Sequence, residues 1–136
     1  MLKSPEAALK RVLDASPEVA LLIGTGTYPT LAPVSASLPF VTWRRTAIRR
    51  TQTLQSPAGI PQVTVEYSIY AATYEQARQV ADAMRSVLDG YGGEVLGCTV
   101  SQVSLENETD DLVTLAGSDL PPAYQITQQY DVWWQE

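Results

Sequence analysis

The stretch VTVEYSIYAATYEQARQVADAMRSVLDGYGG, Val63 to Gly93, changes its hydrophobic period once, and that change sets the architecture. Val63, Val65, Tyr67 and Ile69 alternate with Thr64, Glu66, Ser68 and Tyr70, the period of two that belongs to a half-buried strand. Beyond Ala71 and Ala72 the spacing becomes three and four. Ala77, Val80, Ala81, Met84, Leu88 and Tyr91 form one apolar stripe, with Glu75, Arg78, Gln79, Asp82, Arg85 and Asp89 opposite it. Thr73 supplies a hydroxyl to cap the first turn, with Gln76 in place for a capping box. Gly90, Gly92 and Gly93 mark the stop, because glycine accepts the left-handed conformation a helix end needs. The expected unit is a strand feeding a long amphipathic helix.

Composition bounds what surrounds this unit. A chain of 136 residues is read as one domain, residues 1–136, large enough to bury a core without metals or disulfides. It is 45% hydrophobic and 18% charged, an ordinary globular balance. A net charge of −6 argues against non-specific nucleic-acid binding as the main task, since phosphate neutralisation needs a basic surface. The single cysteine, Cys98, has no internal partner for a disulfide, which fits a reducing compartment. No apolar run approaches membrane-spanning length, and Lys3, Glu6, Lys10 and Arg11 interrupt any signal-peptide core. The reading is a soluble protein made in a cytoplasm. Histidine is absent, which removes the commonest general base and metal ligand together with every Ser-His or Cys-His pair. No catalytic residue, cofactor site or metal site is expected.

Upstream, Ser4-Pro5-Glu6 and Ser16-Pro17-Glu18 both read as helix starts: a cap, a proline in the first turn and an acid near the positive end of the dipole. The first helix carries Ala8, Leu9, Val12 and Leu13 on its apolar face, and the second runs to about Ile23. Gly24-Thr25-Gly26-Thr27 is a turn, since it lacks the strand, the third glycine and the lysine of a phosphate loop. Tyr28 to Leu38 reads as a loop. A strand from Phe40 to about Thr53, the turn cluster Ser56 to Pro61 and the Val63 strand make an antiparallel hairpin.

Downstream, a strand is expected from about Val95 to Leu105. Leu96, Cys98 and Val100 fall on one phase and Val103 and Leu105 on the other, so a bulge near Ser101-Gln102 is needed. Cys98 reads as a small core side chain rather than a nucleophile, with no basic residue beside it. Glu106 to Pro122 reads as a solvated acidic loop, because EF-hand spacing and its central glycine are missing. Tyr124, Ile126, Gln128, Tyr130, Val132 and Trp134 then alternate as a final strand, with Trp133 on its opposite face. The sum is an α+β fold in the order α-α-β-β-α-β-β, a mainly antiparallel four-stranded sheet with the helices packed on it and edges open to pairing.

Several of these segments resemble the tail-completion, or tail terminator, proteins of long-tailed phages and gene-transfer particles. The resemblance lies in VTVEYSIYAATYEQAR from Val63, VLDGYGG from Val87, LPFVTW from Leu38, VSLENETDD from Val103 and the aromatic ending YDVWW from Tyr130. It implies a structural virion protein at the head–tail joint. Such a protein forms a ring, usually of six subunits, on the finished tail tube, halts tube polymerisation and offers a surface to the head-side connector. DNA would pass through the ring without sequence-specific binding, and no membrane is involved. A neck or head-completion protein of the connector, and a small α+β ligand-binding domain or enzyme, remain as alternatives.

Two charge clusters suit a ring, because a rotationally symmetric contact joins different patches of neighbouring subunits. Arg44, Arg45, Arg49 and Arg50 form one, with Arg44 and Arg50 on one strand phase and Arg45 and Arg49 on the other. Glu106, Glu108, Asp110 and Asp111 form the second. Trp133, off the phase of its neighbours, is the candidate interface aromatic.

Overall fold

The computed structural model describes residues 5–23, 27–29, 39–49, 62–95, 98–113 and 123–135. In chain order the elements are α1 (Pro5–Ala15), α2 (Pro17–Ile23), β1 (Thr27–Pro29), β2 (Phe40–Arg49), β3 (Gln62–Ala71), α3 (Tyr74–Leu88), β4 (Gly93–Val95), β5 (Cys98–Val113) and β6 (Ala123–Gln135). Among the described residues no helix is long and apolar enough to cross a membrane.

The β3–α3 unit forms as its period demands. Thr73 caps α3, its Oγ1 accepting from the Gln76 amide at 3.2 Å. The helix buries Ala77, Val80, Ala81, Ala83, Met84 and Leu88. It ends where Gly90 takes φ +83°, a backbone conformation that any side chain would strain. The Gly90 amide then donates to the Val103 carbonyl at 2.7 Å, joining the helix end to β5. Ser16 caps α2 in the same way, its hydroxyl accepting from Val19 at 3.4 Å.

The sheet runs β1-β2-β3-β6-β5-β4. Five of these strands, from β2 to β4, are antiparallel in succession, and β1 joins β2 in parallel. The expectation of four strands is therefore corrected to six. The two additions are three-residue strands, too short to show an alternating pattern. One of them, β1, takes Tyr28 and Pro29 out of the expected loop.

A second correction concerns the acidic segment. Glu106 to Val113 is not a loop but the second half of β5, paired with β6 down to Val113 and Ala123. Its signature was hidden because the residues facing the helices there include Glu108 and Asp110, polar groups satisfied by other side chains rather than by burial in hydrocarbon. The expected bulge is present: the register shifts between Val100 and Gln102, and again between Leu105 and Asn107. The first shift lets Val100, Val103 and Leu105 all turn to the core, and the second brings Glu108 and Asp110 to the same face. The first expected strand boundary, near Val95, falls within the β4–β5 hairpin.

Helices cover one face of the sheet. Ala8, Leu9 and Leu13 of α1, Val19 and Ile23 of α2 and the α3 stripe meet Val41, Val63, Val65, Ile69, Ile126, Val132 and Trp134. Each fully buried Leu or Val contributes about 1.5–3 kcal/mol by leaving water. At the centre Tyr67 and Tyr130 meet edge to face, ring centroids 5.7 Å apart. Burial, aided by the nearby Tyr130 and Glu6, pushes the Tyr67 hydroxyl far above its usual pKa. Burial raises Tyr130 as well, and Asp89 and Glu108 add to the effect. The turn at Gly24 to Gly26, the loop beyond Pro29, the β2 continuation to Thr53 and the Ser56 to Pro61 cluster lie outside the described residues, as does the Cys98 side chain.

Candidate assembly surface

The face of the sheet turned away from the helices follows from the pairing register. From β2 to β5, Thr42, Ser68, Thr127 and Thr109 form one cross-strand row, and Arg44, Glu66, Gln129 and Asn107 form the next. The face is polar in composition but ordered by its own bonds. Arg44 meets Glu66 at 3.3 Å, Gln129 donates to the other oxygen of Glu66 at 3.3 Å, and Thr64 donates to Asp131 at 2.8 Å. Gln125 donates to the Tyr70 hydroxyl at 3.2 Å, beside a Phe40–Tyr70 ring contact of 5.0 Å. Thr42, Arg44, Glu66, Ser68, Tyr70 and Gln125 line a depression of about 280 Å³ there. Its one carboxylate, Glu66, is held between Arg44 and Gln129.

The bulge at Thr46 changes the expected phase of the arginines. Arg49 pairs with Gln62 and Arg44 with Glu66, so these two share a phase. Arg45 pairs with Val65 on the helix side, where its guanidinium binds the buried carboxylate of Glu6 in α1. That bond raises the Arg45 pKa against the opposing effect of burial. The Arg49 side chain and all of Arg50 lie outside the described residues.

The acidic cluster divides in the same way. Glu108 and Asp110 face α3, where Arg78 meets Glu108 at 2.6 Å, Asp82 at 3.1 Å and Asp110 at 3.9 Å. Burial alone would lower the Arg78 pKa, but Glu108, Tyr74 and Asp82 outweigh it and hold the charge. Glu108 also accepts from Gln128 at 2.7 Å. Gln128 is fully buried, donates to the Ala81 carbonyl at 3.0 Å and accepts from the Tyr130 hydroxyl at 2.9 Å. Tyr74 completes the chain of bonds by donating to Asp110 at 2.9 Å. Glu108, Asp110 and Arg45 thus tie the layers of one subunit together. Glu106 and Asp111 remain exposed on β5, Glu106 as the bulged residue.

Trp133 pairs with Gln62 and Gln102 on the face turned away from the helices and is half-buried there. The network around Arg78 and Gln128 was missed from sequence. Its signal was Gln128 itself, a lone polar residue in the buried phase of an otherwise apolar strand. Among the described residues, no group of three or more acidic or cysteine side chains is arranged to hold a metal ion.

Residues 7–133 match a protein family described as tail completion protein gp17. The chain belongs to that family. It is therefore a structural component of the virion tail at the head–tail joint region, not an enzyme, and it assembles with other tail and head proteins. No curated protein sequence matches it. Among solved structures, a chain from the virion of a native gene transfer agent particle has the same fold, with a TM-score of 0.78. The two share 14% identity, over 98% of this chain and 96% of that one.

Proposed function

We propose that this tail completion protein closes as a ring, of six subunits, on the end of the finished tail tube. There it stops further addition of tube subunits and presents the joining surface to the head-side connector, with DNA passing through the lumen unread. The observation that carries this reading is the family match over nearly the whole chain. The polar face turned away from the helices, and the strand edges without a neighbour among the described residues, supply surface for such contacts. Arg44, Glu106, Asp111 and Trp133 are the proposed contact residues, joined by Arg49 and Arg50. Arg45, Glu108 and Asp110 contribute by holding that surface in shape.

The test is native mass measurement with negative-stain imaging of the purified protein, alone and after mixing with tail tubes. Closed rings, or tubes capped at one end and no longer extended by added tube protein, are the expected result. A protein that stays monomeric and leaves tube ends bare and growing overturns the proposal.

A further inference from the structure

Two edge segments of the sheet have no strand beside them among the described residues, and they differ in charge. On one side β1 covers Val41 to Trp43 of β2, so Arg44 to Arg49 has no strand beside it among the described residues. On the other side β4 covers Cys98 to Val100 of β5, and the end of α3 covers the next turns. There Gly90 donates to Val103, and Asp89 accepts from the Leu105 amide at 3.1 Å. From Glu106 to Val113 β5 has no strand on its outer side among the described residues. The two segments meet at the row Arg44–Glu66–Gln129–Asn107 and run from it towards opposite ends of the strands, so they lie at diagonally opposite corners of the sheet.

We infer that the Glu106–Val113 edge of one subunit pairs with the Arg44–Arg49 edge of the next, so that the sheet continues from subunit to subunit. The inference rests on the ring reading above and names its contact. Strand direction supports it. Within one subunit β2 and β5 run in opposite directions across three antiparallel steps, so a neighbour joined with its helices on the same side presents β2 antiparallel to β5. Charge supports it as well. Pairing either edge with itself sets Glu106 and Asp111, or Arg44 and Arg49, against their own kind, whereas pairing unlike edges sets acid against arginine. Charge also blunts edges that must stay single. However, Leu112 on the same segment is 55% exposed and flanks the exposed Tyr74 and Tyr124, an apolar group that a merely blunted edge does not need. The diagonal placement requires adjacent subunits to step by roughly 20 Å along the strands, which a closed ring absorbs by tilting its strands to the axis.

Cross-linking tests the pairing on assembled particles or capped tubes. In a Cys98→Ser background, Thr109→Cys and Ala47→Cys are placed in separate chains and mixed before assembly. Oxidation is expected to give a covalent dimer from the mixture and none from either chain alone. Glu106→Lys with Asp111→Lys should weaken assembly roughly tenfold, and Arg44→Glu with Arg49→Glu should restore it. Rings that form normally without the mixed cross-link, or that cross-link only through matching positions, overturn the edge pairing and leave the ring standing. Wild-type protein that neither closes nor caps tubes overturns both.

Discussion

The two halves of β5 are one strand built in two ways. From Cys98 to Leu105 it is flanked by β4 and the end of α3, and Val100 and Val103 are buried in the core. From Glu106 to Val113 its helix-facing positions are Glu108, Asp110 and Leu112, and among the described residues no strand lies beyond it. Both halves pair with β6; the first adds buried hydrocarbon and backbone bonds on its outer side, the second side-chain bonds centred on Arg78 and Gln128. A strand thus continues beyond the core where polar partners replace apolar ones.

The sharpest way to break this comparison is to place one charge in each half. Val103→Asp buries an unpaired carboxylate and is expected to cost at least about 4 kcal/mol, enough to unfold a marginal domain. Thr109→Asp on the open half is expected to change stability by about 0.5 kcal/mol or less. Chemical denaturation midpoints of the two variants give the contrast directly, and equal effects would dissolve it.

Alkaline pH probes the junction, where Tyr130 pairs with Leu105 beneath the bulge. Tyr67 and Tyr130 have folded pKa values raised above the unfolded value of about 10, so their contribution is intact below pH 10. As pH rises above 10 the unfolded chain releases protons that the fold retains. Stability then falls by about 1.4 kcal/mol per tyrosine for each pH unit. Tyr67→Phe should flatten that slope in urea titrations followed across pH 9 to about 11.

Gln128→Leu sharpens the account of the second half. It leaves Glu108 with one donor fewer and the Tyr130 hydroxyl without its acceptor, an expected loss of about 1–3 kcal/mol. If the variant were as stable as the parent, the polar network would not be what holds this half. Asp89→Ala is expected to cost less, about 0.5–1.5 kcal/mol, with faster hydrogen exchange at the Leu105 amide that Asp89 caps. Exchange at Thr109 should not change.

The same division explains what the sequence revealed. Wherever stability comes from apolar burial, period alone located the element: β3, α3, β6 and the phase break at Ser101 were all legible. The Glu106–Val113 half was not, because its partners come from elsewhere in the chain: Arg78 from α3 and Gln128 from β6. β1 and β4 carry three residues each and offer no period to detect. The arginines were legible as a cluster but not in their division, because the bulge at Thr46 resets the phase and Glu6 is remote from Arg45 in sequence. Trp133 was correctly set opposite Trp134, since simple alternation decides it.

The bulges also govern shape. β3 and β6 pair through ten successive residues without a shift, from Gln62 and Trp133 to Ala71 and Tyr124. β2 on one side and β5 on the other both carry bulges, and a bulge bends its strand and increases local twist. The regular β3–β6 ladder is therefore flanked by two strands in which extra bend and twist are concentrated. A partner that lies on the face turned away from the helices and reaches both Arg44 on β2 and Asp111 on β5 has to follow that bend on both sides.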